Sequence, residues 1–125
     1  MGIEEVGKII IGSAIEVHKT LGPGLLESCY EKCLAYEIAQ AGLRVECEKT
    51  LPISYKDKNF EQGFRIDLIV EDQIIVELKS VDSLSDVYLA QVLTYLKLSD
   101  IKLGYLINFN VPLLKDGIKR VVNNL

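Results

Sequence analysis

Hydrophobic positions recur with helical spacing at the start of the chain. Ile3, Val6, Ile10, Ala14, Val17 and Leu21 are three or four residues apart, which places them on one face of a helix running to Leu21. Gly22-Pro23-Gly24 ends that helix, because proline cannot extend the hydrogen-bond ladder and glycine admits the tight backbone of a helix terminus. A second helix is predicted from about Leu25 to Gln40, with Leu26, Tyr30, Cys33 and Leu34 on one side and Gly42 as its stop.

The period then changes from helical spacing to simple alternation. Leu43, Val45 and Cys47 alternate with Arg44, Glu46 and Glu48, the pattern of a half-buried strand. Pro52 and the polar run Lys56–Asn59 interrupt it, so Ile53–Tyr55 is predicted as a separate short strand turning back towards Phe60. Phe64–Val70 and Ile74–Lys79 predict an antiparallel hairpin around Glu71-Asp72-Gln73. A third helix, capped by Ser83 or Ser85, runs to about Leu98. It groups Leu89, Val92, Leu93 and Leu96 while Tyr88, Gln91 and Tyr95 occupy another face, so one side packs on a sheet and the other borders a cavity. Leu103–Phe109 and Ile118–Val122 read as further strands.

The hairpin carries the candidate chemistry. A three-residue loop pairs Val70 with Ile74 and sets Asp67 opposite Glu77. Strict alternation then gives one apolar face, Phe64, Ile66, Leu68, Val70, Ile74, Val76 and Leu78, and leaves Asp67, Glu77 and Lys79 on the other. Facing side chains stand about 4.5–5.5 Å apart at Cβ, so two carboxylates there repel and a cation relieves them. Oxygen donors suit Mg²⁺ or Mn²⁺, and Lys79 is placed to stabilise charge developing on a substrate phosphorus. A solvated hairpin face with the same three charges is the competing explanation. Against it, Ile69 and Ile75 fall on the charged face, which points to a partly covered groove.

Composition narrows the class. With 125 residues, 49% hydrophobic and 26% charged, the chain has the size and balance of one globular domain, residues 1–125. No apolar run approaches the roughly 20 residues needed to span a bilayer. The start of the chain lacks the basic region of a secretory signal, so a cytoplasmic location is expected and no membrane partner. Three cysteines and one histidine lack the spacing of a zinc site; Cys29 and Cys33 are expected as small buried side chains, and His18 is expected to pack beside the first helix. The net charge of -4 weighs against indiscriminate nucleic-acid binding, although carboxylates that hold a cation are counted in that total.

Asp67 followed by Glu77-Leu78-Lys79, on a hairpin that precedes a helix, resembles the Asp then Glu-x-Lys signature of the PD-(D/E)XK nuclease superfamily. Gly24-Leu25-Leu26-Glu27-Ser28-Cys29-Tyr30 fits the pattern of the GxxExxY family, a small branch placed in that superfamily, and Gln91 with Tyr95 looks like its Q-x-x-x-Y element. Asn108-Phe109-Asn110 and Asp116-Gly117 extend the resemblance over nearly the whole chain, while Ile66 stands where the superfamily name has proline.

The resemblance implies an α/β fold, a restriction-endonuclease-like mixed β-sheet flanked by helices. It also implies metal-dependent hydrolysis of phosphodiester bonds in nucleic acid, with DNA the expected polymer. It makes Asp67, Glu77 and the Leu78 carbonyl ligands of Mg²⁺ or Mn²⁺, with Glu27 completing the set. Lys79 becomes the catalytic lysine, and Gln91 and Tyr95, one helical turn apart, position phosphate or water. Glu27 near a helix start also fits plain stabilisation by the helix dipole, and Tyr30 and Tyr95 fit core aromatics with a hydroxyl at the edge. The alternative function is a noncatalytic binding or assembly module that retains the fold. A homodimer is one way for so small a domain to grip a duplex.

Overall fold

The computed structural model describes every residue from Met1 to Leu125. Two helices come first, α1 (Ile3–Leu21) and α2 (Glu27–Gln40), followed by strands β1 (Val45–Tyr55), β2 (Lys58–Val70) and β3 (Ile74–Lys79). Helix α3 (Asp86–Ser99) leads to β4 (Leu103–Asn108), and a single 3-10 turn at Leu114–Gly117 leads to β5 (Ile118–Val122). The sheet has five strands in the order of the chain. All neighbours are antiparallel except β3 and β4, which run parallel because α3 carries the chain back across the sheet. No helix is long and apolar enough to cross a membrane.

Both faces of the central strands are covered. On one face α1 and α2 bury Val6, Ile10, Ala14, Tyr30, Leu34 and Ile38 against Leu68, Val70, Ile74, Val76 and Leu78. On the other, α3 packs Val92 and Leu96 against Ile66, Ile69, Ile75 and Leu106. Ile69 and Ile75 are therefore core residues beneath a helix, as the covered-groove reading expected. A two-sided sheet of this kind explains why β3 and β4 read as nearly continuous apolar runs.

Four expectations are corrected. Pro52 does not end the first strand: β1 continues to Tyr55, turns at Lys56-Asp57 and pairs with a β2 that begins at Lys58. Proline is tolerated because β1 is an edge strand with β2 as its one neighbour, and the register shifts between Leu51 and Ile53 to pass it. The shift also brings β2 against Ile53 at Gly63, where a Cβ would lie 2.5 Å from the Ile53 side chain, so glycine alone fits. Second, Phe64 and Ile66 join the α3-side core rather than the face of Leu68 and Val70, so strict alternation along β2 fails around Asp67. Third, Leu26 is 77% exposed and just outside α2, whose buried stripe is Tyr30, Leu34 and Ile38. Fourth, Cys29 and Cys33 are only half-buried and Cys47 is exposed; all three are free thiols. His18 is buried and its Nε2 donates to the Val111 carbonyl at 2.8 Å, tying α1 to the segment after β4.

Candidate active site at the opening of the β2–β3 ladder

The backbone ladder between β2 and β3 runs through Val70↔Ile74, Ile69↔Ile75 and Leu68↔Val76, then stops. The next positions along the two strands are Asp67 and Glu77. In place of a backbone pair, the Asp67 N–H donates to Glu77 Oε1 at 3.0 Å and the Leu78 N–H donates to Asp67 Oδ2 at 2.9 Å. Each carboxylate thus crosses the gap and satisfies a main-chain donor of the opposite strand, so the opening leaves no buried polar side-chain atom without a partner. Opposite Asp67 on its other side, Glu48 of β1 adopts a left-handed backbone with φ 51°, so β1 is distorted at the same level.

Burial makes this exchange electrostatically tense. Glu77 is 5% exposed, and its carboxyl is pushed up to about 8, first by desolvation and then by the negative charge of Asp67, with Lys79 pulling the other way. Two anionic groups in side-chain contact inside a protein favour a shared proton or a bound cation. The available donors are hard oxygens, which match Mg²⁺ or Mn²⁺.

The remaining predicted residues fall around this pair on two sides. Glu77 is flanked by Val76 and Leu78, which face α1 and α2, so it leaves β3 towards α3. Lys79 leaves on the same side and lays its Nζ over the Tyr88 ring, 4.5 Å from the centroid. None of the four ion pairs in the molecule includes Lys79. The Tyr95 hydroxyl is pushed upward in pKa by burial and by the charges of Glu77 and Asp67, with Gln91 pulling the other way. Its ring stacks on Phe64 at 5.0 Å. Asp67 instead opens onto a cleft of about 500 Å³ on the α2 side, which it lines with Glu27, Glu31, Glu48, Arg65 and Leu78 among others. The expectation that Asp67, Glu77 and Lys79 share one face is thus replaced by a centre that straddles the sheet where two strands part.

Glu27 reaches that cleft through the loop before α2. Tyr30, fully buried and stacked on Phe109 at 4.4 Å, donates its hydroxyl to the Gly22 carbonyl at 2.6 Å and accepts from the Leu25 N–H at 3.1 Å. Tyr30 is therefore the tie that fixes the Gly22–Leu26 loop and aims the start of α2. Ser80, just after β3, donates its hydroxyl to the Leu25 carbonyl at 2.6 Å and its N–H to Glu27 Oε1 at 3.4 Å. Glu27 lies at the mouth, engaged with Ser80, and no trio of carboxylate, histidine or cysteine side chains is gathered closely enough to enclose an ion.

Several cleft residues escaped the sequence reading. Glu31 lies one helical turn beyond Glu27, and burial and then Asp67 and Glu48 raise its carboxyl pKa. Arg65 lies two residues before Asp67 on β2 and pairs with Glu48 at 2.8 Å. Their spacing from Glu27 and Asp67 was a usable signal, i and i+4 on a helix and i and i−2 on a strand. Glu48 had no local signal, because only the pairing of β1 with β2 brings it to the cleft.

Search among curated proteins found no match. The family model of the PD-(D/E)XK nuclease superfamily matches residues 4–121, from the first turn of α1 to the end of β5 short of Val122, with the Asp67–Glu77 opening inside it. A mixed sheet between helices, a carboxylate on each of two parting strands and a lysine two residues beyond the second agree with that match, and the chain belongs to the PD-(D/E)XK nuclease superfamily.

Proposed function

We propose that this protein is a divalent-metal-dependent nuclease of the GxxExxY branch, hydrolysing phosphodiester bonds in nucleic acid, with DNA the expected polymer and the cytoplasm the expected location. The observation that carries the reading is the buried Glu77 carboxyl joined to Asp67 across the open end of the β2–β3 ladder. A burial of two like charges is unfavourable unless something positive arrives, and a substrate phosphate with its counter-cation is such an arrival.

Asp67 and Glu77 would hold Mg²⁺ or Mn²⁺, with the Leu78 carbonyl and Glu27 as further oxygen donors. Bound there, the ion supplies Lewis acidity towards a phosphate oxygen and lowers the pKa of water. Glu27, exposed at the mouth, can exchange its Ser80 contact for the cleft interior without disturbing the core. Lys79, free of ion pairs, brings an ammonium to the α3 side of the opening, where it stabilises charge building on the phosphoryl oxygens. Gln91 and Tyr95 supply hydrogen bonds that hold phosphate or water beside Glu77. The overall reaction adds the water oxygen to phosphorus, breaks one P–O ester bond and passes a proton to the departing oxygen.

The direct test incubates mixed DNA and RNA substrates with Mg²⁺ or Mn²⁺, comparing wild type with Asp67→Ala and Lys79→Ala. Metal-dependent cleavage lost in both variants is the expected result. Cleavage that survives both substitutions removes this centre from the mechanism.

A second reading, a noncatalytic binding module, is favoured by one feature: the two carboxylates already satisfy each other's backbone donors and Glu27 stays with Ser80. Calorimetric titration with Mn²⁺ separates the two. The nuclease reading expects binding that weakens in Glu77→Ala; the module reading expects none.

A further inference from the structure

We propose that the outer part of the β1–β2 hairpin is a stacking arm for unpaired nucleotides, so that the substrate is a strand with single-stranded character. This inference rests on the nuclease reading and extends it to substrate class.

The arm is the one part of the sheet that no helix covers. From Lys58 to Gly63 every residue of β2 is exposed, as are Ser54 and Tyr55 on β1. Its side chains are nonetheless apolar on one face. Leu51, Ile53 and Tyr55 alternate to the same side of β1, and their cross-strand partners Phe64 and Phe60 join them. Leu51 and Phe64 lie against the α3-side core, which fixes that side as the one facing α3. The Tyr95–Phe64 stack at the site thus shares its side of the sheet with two further aromatics beyond the register shift, Phe60, 52% exposed, and Tyr55, 61% exposed.

Aromatic faces in open solvent beside lysines suit nucleotide bases, which stack on any π surface, and their phosphates. Lys56 and Lys58 stand at the tip, neither engaged in an ion pair, with Lys56 Nζ 5.4 Å from the Tyr55 ring centroid. Asp57 and Glu61 balance these two cations, so residues 54–63 are neutral in a chain of net charge -4, and stacking rather than net charge carries the attachment. A second copy of the chain is the other candidate occupant. The edge strand is poorly suited to it, since Pro52 removes a donor and the left-handed Glu48 bends the strand that a partner would have to extend. Duplex bases are stacked on one another and cannot use the stripe, which selects unpaired nucleotides.

Binding is measured by fluorescence anisotropy in the Asp67→Asn protein with Mg²⁺ present, so that cleavage does not consume the probe. The probes are a labelled oligothymidylate of about 16 nucleotides, within the span of single-strand sites, and a mixed-sequence duplex of the same length. Tyr55→Ala and Phe60→Ala are each expected to weaken oligothymidylate binding about tenfold and to leave the melting temperature unchanged. Lys56→Ala with Lys58→Ala is expected to reduce the salt slope of log affinity by about 1.4. Duplex is expected to bind more weakly than oligothymidylate and to be insensitive to the aromatic substitutions. Undiminished oligothymidylate binding in both aromatic variants overturns the proposal, as does absent binding or a preference for duplex. A wild-type dimer in sedimentation that Tyr55→Ala dissociates overturns it in favour of a second copy. Cleavage by wild type is scored separately: binding through the arm without cleavage sinks the nuclease reading alone, and cleavage with an arm of no effect sinks this inference alone.

Discussion

The two ends of the β2–β3 hairpin obey different rules. At the turn end, Val70↔Ile74, Ile69↔Ile75 and Leu68↔Val76 pair through backbone hydrogen bonds, and helices cover both faces. At the far end the backbone pairing stops, and the carboxylates of Asp67 and Glu77 take over the donors it would have used. The first end is stabilised by apolar contact that water and pH do not touch. The second keeps charge inside the protein, which makes it responsive to protons and cations. A rigid ladder thus holds an electrostatically unsettled opening in place, and the same strands supply both.

Substitutions at the two ends sharpen that contrast. The largest effect is expected in chemistry: Asp67→Ala should lower metal-dependent cleavage at least about a hundredfold, measured on labelled substrate, with a stability loss of about 1–3 kcal/mol from the Leu78 N–H left without its acceptor. At the ladder end, Ile75→Ala should destabilise the fold by about 2–5 kcal/mol, read from urea unfolding, since Ile75 is fully buried under Val92 and Leu96. Equal stability losses for the two variants would break the distinction.

Glu77→Gln tests the opening through pH. Folded Glu77 keeps its proton up to about pH 8 whereas an ordinary carboxyl loses it near 4.5, so between those values the unfolded chain binds fewer protons than the folded one. Stability contributed by Glu77 therefore falls as pH rises through that window, by up to about 1.4 kcal/mol per pH unit, and is level above it. Glutamine removes the decline, so without metal the variant should be more stable than wild type at pH 8 and closer to it at pH 5, as followed by thermal melts. Metal binding needs the ionised carboxyl, so Mn²⁺ should raise the melting temperature of wild type more at pH 8 than at pH 6 and do less for the variant. The smallest effect belongs to Tyr30→Phe, which removes two hydrogen bonds to the Gly22–Leu26 loop but keeps the stack on Phe109. A loss of about 1–2 kcal/mol is expected, with amide exchange quickening at Leu25.

Legibility in the sequence followed the range of the interactions. Helix α1 was visible end to end, because its stripe and its Gly-Pro-Gly stop are local. The spacing of Asp67 from Glu77 was visible through the three-residue loop, which counts the register outward from Val70 and Ile74. That the ladder opens there was not visible, since the break coincides with a distortion at Glu48 in a third strand and with the turn of Ile66 towards α3, neither of which is local to the hairpin. The strand through Pro52 was hidden for a related reason: proline reads as a stop unless the strand is known to lie at an edge.

By itself the sequence determined the helices, the β2–β3 hairpin and the residue types able to hold a hard cation, because periodicity, turn chemistry and side-chain identity are properties of neighbours along the chain. Tertiary structure alone decided that Glu77 is buried, that Asp67 faces a cleft with Glu31 and Arg65, and that β3 and β4 run parallel. Burial sets the energy of a charge, and burial is fixed by which distant segments the folded chain packs around it.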